Sequence, residues 1–439
     1  MKRVITLATL LVLSFAALKA QEIYDLKRCL EIGLEQNYSI RISGNSKQKA
    51  DNNLTIGNAG FLPTVDLTGR YSGTVNDTKS KTTTGVTTES NGVHNQTFSA
   101  SADLSWNIFN GFSVQTSYKK LKELQQLGEL DARLAIEGIV SKIANQYYDL
   151  VQQNIRLKNF DYAMGISKER VRIVQERYIL GSASKLELQQ ARVAYNTDSS
   201  NYIAQTETLY KAGVALNELM AVENVSAPPK IDSTEIHING SLNLIELEAQ
   251  MLAVNTSLLA AEHNYTISEL DLKLVKSRVY PYLKAGAGYG YTRNNFGSGT
   301  TDYSQSLGFN YGLTLGINIF DGGNRRREVK NAKLDILNRE LQQAELVQSL
   351  KAELSTMYNT YLNKLNLQKM EEENVETARE GLEIAMERYK LGALSGIELR
   401  EVQRDLLNAE ERLLTVSYNA KLAEISLMQI SGNILEYIR

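Results

Sequence analysis

The chain contains one plan written twice. Asn107-Ile108-Phe109-Asn110-Gly111 returns as Asn318-Ile319-Phe320-Asp321-Gly322, an interval of 318 − 107 = 211 residues. Glu176-Arg177-Tyr178, followed by Leu180-Gly181 and Ser184, returns as Glu387-Arg388-Tyr389, Leu391-Gly392 and Ser395, again at 387 − 176 = 211. Upstream, Asn37 and Pro63 return as Asn255 and Pro281 at an interval of 218, so the first half carries 218 − 211 = 7 extra residues between its proline and its Asn-Ile-Phe motif. Self-similarity on this scale requires two copies of one structural unit. All four prolines fall at boundaries. Pro63 and Pro281 each end a helical pattern, as a fixed φ and a missing N–H demand, and Pro228-Pro229 separate the halves.

Each half reads as helix, two strands, long helix, turn, helix. Period-two alternation marks the strands. From 64, Val65, Leu67, Gly69, Tyr71, Gly73 and Val75 form one face against Thr64, Asp66, Thr68, Arg70 and Ser72. From 97, Phe98, Ala100, Ala102, Leu104, Trp106 and Ile108 oppose a Ser/Asp/Asn face. The second half gives Leu283 to Tyr291, and then Leu307, Phe309, Tyr311, Leu313, Leu315, Ile317 and Ile319. The expected spans are 64–76 and 97–109, then 281–293 and 304–320, with polar loops at 76–96 and 293–303. Each strand is about 10 to 13 residues, the length of a tilted bilayer crossing. Proline-free three-four patterning predicts long helices over 112–179, 184–221, 322–391 and 395–431. At 1.5 Å per residue the longest measure on the order of 100 Å, so their stripes need partner helices, as in antiparallel coiled-coil hairpins. The domain plan is a signal peptide at 1–20, a first repeat at 21–229 and a second at 230–439.

The signal peptide follows from Lys2-Arg3, an apolar run to Leu18 and the closing Leu18-Lys19-Ala20. Cys29 lies eight residues past the expected cut and lacks a lipoprotein context, so no lipid anchor is expected; one cysteine also excludes an internal disulfide. Removing three basic residues with the signal takes the net charge from −2 to −2 − 3 = −5, which gives no reason to expect nucleic acid as a partner.

Four strands with one apolar face cannot span a membrane as an open sheet, because each unpaired backbone group in lipid costs several kcal/mol. One chain also has too few strands to enclose an aqueous lumen, so the barrel must be shared between copies. The doubled plan, the Asn-Ile-Phe-Asn/Asp-Gly strand ends and the paired Arg-Tyr-x-x-Gly-x-x-Ser turns resemble the TolC family of outer-membrane efflux proteins across essentially the whole mature chain. The resemblance implies a homotrimer with one 12-stranded barrel and a 12-helix periplasmic tunnel. It implies a passive exit duct in the Gram-negative outer membrane for efflux or type I secretion, without cofactor. Its partners would be membrane lipid, a periplasmic adaptor and, through that, an inner-membrane pump.

The candidate site lies at the helix reversals. Gly181-Ser182-Ala183-Ser184 and Gly392-Ala393-Leu394-Ser395 have a local explanation: a glycine ends one helix, and the capping boxes Ser184-x-x-Glu187 and Ser395-x-x-Glu398 open the next. The resemblance adds a docking tip for the adaptor. It also implies that Glu398 and Glu401, three apart on one helix face, ring the pore entrance, where mutual repulsion would raise their pKa values. Tyr389 and Glu187 match positions that tie the entrance closed, and Leu394 stands where the family pattern often has arginine. His94, His237 and His263 are scattered, so no metal site is expected, and no nucleophile-base pairing suggests an enzyme. A periplasmic coiled-coil adaptor is the alternative, but it would not need four lipid-length strands.

Overall fold

The computed structural model describes residues 23–231 and 235–438. The expected signal peptide lies outside them. Helices α1 (Leu26–Gln36), α2 (Tyr38–Asn53) and α3 (Ile56–Ala59) lead to strands β1 (Thr64–Lys81) and β2 (Thr87–Asn110). Helices α4 (Ser113–Ile179) and α5 (Lys185–Met220) follow. The second half runs α6 (Leu244–Val254), α7 (Thr256–Ser277), β3 (Tyr282–Asn295), β4 (Tyr303–Gly316), α8 (Asn324–Lys390) and α9 (Gly396–Ile430), and a 3-10 turn spans Ile434–Ile438. Among the described residues no helix is long and apolar enough to cross a membrane.

Two compact units divide the chain. One comprises the chain up to Ser46 with Leu130–Leu259 and Ala344–Arg439; the other comprises Lys47–Glu129 and Ala260–Gln343. In the first unit, α1, α4, α5 and α9 bury Cys29, Leu30, Ile143, Leu150, Leu216, Met220 and Ile425. Burial raises the Cys29 thiol pKa to about 12, so it serves as a small apolar group. A separate cluster packs Val174, Leu188, Leu382, Tyr389, Leu399 and Leu406 close to both helix reversals. Full burial of each such leucine contributes roughly 1.5–3 kcal/mol.

The duplicated asparagines break the helices that precede each hairpin. Asn37 leaves helical geometry at ψ 127 and Asn255 at ψ 120. Each side-chain oxygen then caps the next helix: Ser39 and Ile40 N–H donate to Asn37 at 2.8 and 3.3 Å, and Ser257 and Leu258 to Asn255 at 3.0 and 3.2 Å. Each amide donates to the C-terminal part of a long helix, Asn37 to Leu219 O at 2.7 Å and Asn255 to Ile430 O at 2.9 Å. The pattern read as one helix in each half is therefore broken at its asparagine, and in the first half the short α3 follows as a third piece.

The second unit holds an antiparallel sheet of order β1-β2-β3-β4. Its registers put the alternating faces in line. Leu67, Ala102, Tyr289 and Phe309 form one row, and Val65, Leu104, Ala287 and Tyr311 another. On the opposite face Thr68, Ser101, Gly290 and Gly308 align, as do Arg70, Ser99, Thr292 and Ser306. The apolar face stands open, with Leu67, Tyr71, Tyr311, Leu313 and Leu315 all exposed.

Three strand details differ from expectation. The segment expected as a polar loop over 76–96 is largely strand: past a bulge between Asn76 and Thr78, pairing continues from Thr78↔Ser90 to Lys81↔Thr87. Threonine-rich pairs hold a ladder without apolar alternation to mark it, helped by the Lys79–Glu89 ion pair. A second bulge, between Asn107 and Phe109, sets Phe109 opposite Leu283, so Ile108 leaves the register that its alternation suggests. Finally, β4 stops at Gly316, and 317–320 have no strand pairing.

Candidate pore entrance and docking turns

The two helix reversals have the same backbone. Gly181 and Gly392 both adopt φ 75, the left-handed region where a side chain is strained. Ser182 N–H reaches Arg177 O at 2.8 Å and Gly181 N–H reaches Tyr178 O at 3.1 Å; the twins, Ala393 to Arg388 O and Gly392 to Tyr389 O, measure 2.8 and 3.0 Å. These are Schellman ends. The following capping boxes also match. Ser184 N–H donates to Glu187 Oε2 at 2.8 Å and Glu187 N–H to Ser184 Oγ at 3.1 Å, while for Ser395 and Glu398 the distances are 2.9 and 3.2 Å.

Between the reversals lies a cleft of about 700 Å³. Ser182, Ala183, Ser184 and Glu187 line it from one side and Tyr389, Gly392, Ala393, Leu394 and Ser395 from the other. The structure thus gathers most of the expected positions. Gly181, Glu398 and Glu401 do not line the cleft. Glu401 is exposed, and its side chain forms no ion pair or hydrogen bond among the described residues. Leu394 is half-buried and packs on the cluster around Tyr389 and Leu399.

The single chain fixes the surroundings of two of these residues. In one chain the pKa of Glu398 is lowered: the Ser395 hydroxyl, then its N–H, stabilises the carboxylate, whereas the raised values expected from a ring of carboxylates belong to an assembled entrance. In the single chain, no second carboxylate offsets the cap. Tyr389 is 3% exposed, a core residue whose ring lies 5.0 Å from the Arg177 guanidinium carbon. Arg177 Nη2 also donates to Tyr389 O, and to Lys390 O at 3.2 Å, so it caps the end of α8 from the neighbouring hairpin.

Sequence reasoning missed the groups that tie the hairpins together. Arg400 on α9 holds Asp198 on α5 through two bonds of 2.6 and 2.8 Å. Asp198 is 3% exposed and also accepts from Ser167, and Gln403 donates to Ala163 O at 2.8 Å and to Ser167 Oγ at 3.1 Å. The reversals also carry an apolar rim: Leu180, Leu186, Leu391 and Ile397 are all exposed. A large aliphatic residue on both sides of a turn glycine is the available signal.

Comparison with known proteins bears on the family and the fold. The family model for "Outer membrane efflux protein" matches residues 31–222 and 247–433, the two halves in turn. "Outer membrane protein TolC" of Vibrio cholerae is 21% identical over 336 residues, covering 74% of this chain and 73% of that protein. "Cation efflux system protein CusC" of Escherichia coli K12 is 22% identical over 306 residues, covering 67% of this chain and 64% of that protein. The crystal structure of the Campylobacter jejuni CmeC outer membrane channel superposes with a TM-score of 0.74 at 18% identity, covering 93% of this chain and 85% of that one. Its fold is therefore the fold described above. The chain belongs to the outer membrane efflux protein family, which is made of channel proteins, and it is an exit duct of the Gram-negative outer membrane.

Proposed function

We propose that three copies of the chain assemble into one duct, each contributing four strands to a 12-stranded barrel and its long hairpins to a 12-helix tunnel. One observation carries this reading. The sheet has a lipid-ready face and a hydroxyl- and amide-rich face aligned across all four strands, while the outer edges of β1 and β4 have no partner among the described residues. Lipid does not tolerate such edges, and closure removes them. Two copies would give eight strands, whose interior side chains fill; three give room for water.

The reversals then form the periplasmic tip. The exposed Leu180, Leu186, Leu391 and Ile397 support docking there, since an apolar rim left in water marks an interaction site. The occupant is a periplasmic adaptor, which links the duct to an inner-membrane pump that chooses the cargo; efflux is the proposed use. Gly181 to Ser184 and Gly392 to Ser395 shape this surface. Glu187 and Tyr389 act on the entrance by fixing the helix ends, while Glu398 and Glu401 supply carboxylates around it.

Planar-bilayer recording tests the entrance. Glu398→Ala with Glu401→Ala lowers cation preference, and unchanged selectivity removes both residues from the entrance. Amine cross-linking in native outer membranes tests the assembly: a ladder ending at three is expected, and a monomer alone overturns it.

A further inference from the structure

The cleft between the two reversals contains a charge that no other group in the chain answers. Arg170, on α4, is 5% exposed and lines the cleft. Its guanidinium nevertheless forms no hydrogen bond or ion pair among the described residues, and its Nε is fully enclosed. Arginine does not shed its proton to escape burial, so an unanswered guanidinium here is costly. The other arginines that join these hairpins are answered: Arg400 holds Asp198, and Arg177 caps the end of α8.

The surroundings make room for that charge. A Cβ on Gly396 would stand 3.0 Å from Arg170 Nη2 and 3.5 Å from its Nε, so the missing side chain is what admits the guanidinium. The duplication sets this apart from ordinary turn construction. At the interval of 211, Arg170 has Gly381 as its twin and Gly396 has Lys185, so the equivalent positions hold neither the arginine nor the gap.

The start of α9 adds donors. Its capping box uses the N–H groups of Ser395 and Glu398, and Leu399 N–H makes the bond to Ser395 O that begins the helix. The N–H groups of Gly396 and Ile397 are left over at the positive end of a 35-residue helix, and both residues line the cleft. Arg177 brings a second guanidinium to the wall. The one carboxylate there, Glu187, already accepts from Ser184 N–H through Oε2.

We infer that this cleft is a binding site for a carboxylate carried on an apolar body. The fork of Arg170 matches the two oxygens of a carboxylate, and the free N–H groups of α9 take the lone pairs that remain. Val174, Leu186, Leu394 and Ile397 line the rest and receive the body. Inorganic phosphate suits the site less, because its further oxygens would lie against these apolar side chains without donors. The volume, about 700 Å³, is that of a small-molecule site. A ligand held this way joins α4 to α9 and so ties one hairpin to the other. The carboxylate has two sources, a free organic acid or an Asp or Glu side chain of a docked protein. Neither the trimer nor the adaptor is needed for the site to exist.

Calorimetric titration of the purified full-length protein with hexanoate tests the site, with hexanamide as the neutral control. The wild type should bind the acid at least about ten-fold more tightly than the amide, as hydrogen bonds to a charged group predict. Arg170→Met should abolish that preference without lowering the urea midpoint, since it breaks no bond and removes an unpaired charge. Gly396→Ala provides a second variant that keeps the charge: its methyl group crowds Arg170 Nη2, and hexanoate should weaken while hexanamide does not change. Equal binding of acid and amide by the wild type overturns the site. A lower urea midpoint for Arg170→Met with the preference retained also overturns it, and makes Arg170 a structural residue. Carbodiimide treatment of cells carrying Arg170→Lys then separates the sources. An amide link to an Asp or Glu of another protein assigns the carboxylate to a docked partner, and hexanoate binding without such a link assigns it to a free acid.

Discussion

The two helix reversals agree in backbone but not in surroundings. Gly181 and Gly392 share one φ, and both capping boxes close with near-equal distances. Yet Tyr389 is buried, while its twin Tyr178 is 40% exposed. Arg177 crosses to the other hairpin, and Arg388 has no equivalent bond among the described residues. Farther from the turns, Asp198 and Ser167 on the first hairpin have Ala409 and Ala378 as twins, and Arg400 and Gln403 on the second have Gln189 and Arg192. The duplication preserved what a helix end needs locally. It then gave the hairpins complementary side chains, so each completes the other and neither can replace it.

The largest effect should come from the buried end of that complementarity. Arg400→Leu leaves Asp198 charged and nearly water-free, at a cost of about 3–5 kcal/mol. A urea melt followed by far-UV circular dichroism reads this directly. Asp198→Leu with Arg400→Leu should recover most of the loss, since replacing both partners with apolar groups is often neutral. If the single variant melts with wild type, the two hairpins are held by packing alone. Next comes Arg177→Leu, which removes charged bonds to two carbonyls and a cation–π contact, at about 1.5–3 kcal/mol. Arg388→Leu should stay within about 0.5 kcal/mol, as an ordinary surface change does. Equal effects would erase the distinction drawn between the turns.

A smaller contrast concerns the glycines. A β-branched residue at φ 75 is strained at either position, by roughly 1–2 kcal/mol. A Cβ at Gly392 would also stand 3.7 Å from Arg177 Nη2, whereas at Gly181 it meets open space. Gly392→Val should therefore weaken adaptor cross-linking at Ala393 more than Gly181→Val weakens it at Ser182, with trimers intact in both. Lost trimers would make the turn a structural element of the assembly instead.

Much of this was legible in sequence for a physical reason: periodic patterns and capping boxes are local. The faces from Val65 to Val75 and from Leu307 to Leu315, and the S-x-x-E starts at Ser184 and Ser395, carry their information within a few residues. The outer part of the first hairpin was not legible, because Thr78 to Lys81 pair through backbone and hydroxyl groups without apolar alternation. Nor were the ties between hairpins. Arg177 and Tyr389 are 212 residues apart, Asp198 and Arg400 202, and a contact over such a separation leaves no period in the chain. The unpaired 317–320 failed differently: its alternation is sound, but no strand lies beside it among the described residues.

The capping boxes provide the finest comparison. Ser184→Ala and Ser395→Ala should each cost about 1 kcal/mol at pH 7, the usual value for a lost N-cap. Acid should then act on the second turn through Glu398. Its pKa is lowered in the folded chain, chiefly by the Ser395 hydroxyl, so its contribution is complete above the ordinary glutamate range and disappears as pH falls through the folded value. Ser395→Ala removes the main cause of that shift. The gap between wild type and Ser395→Ala in urea midpoint should therefore narrow from pH 7 towards pH 3, and Glu398→Gln should flatten the dependence. A gap that widens on acidification would mean that another group governs this turn, and that the two reversals, alike in backbone, differ in their capping chemistry as well.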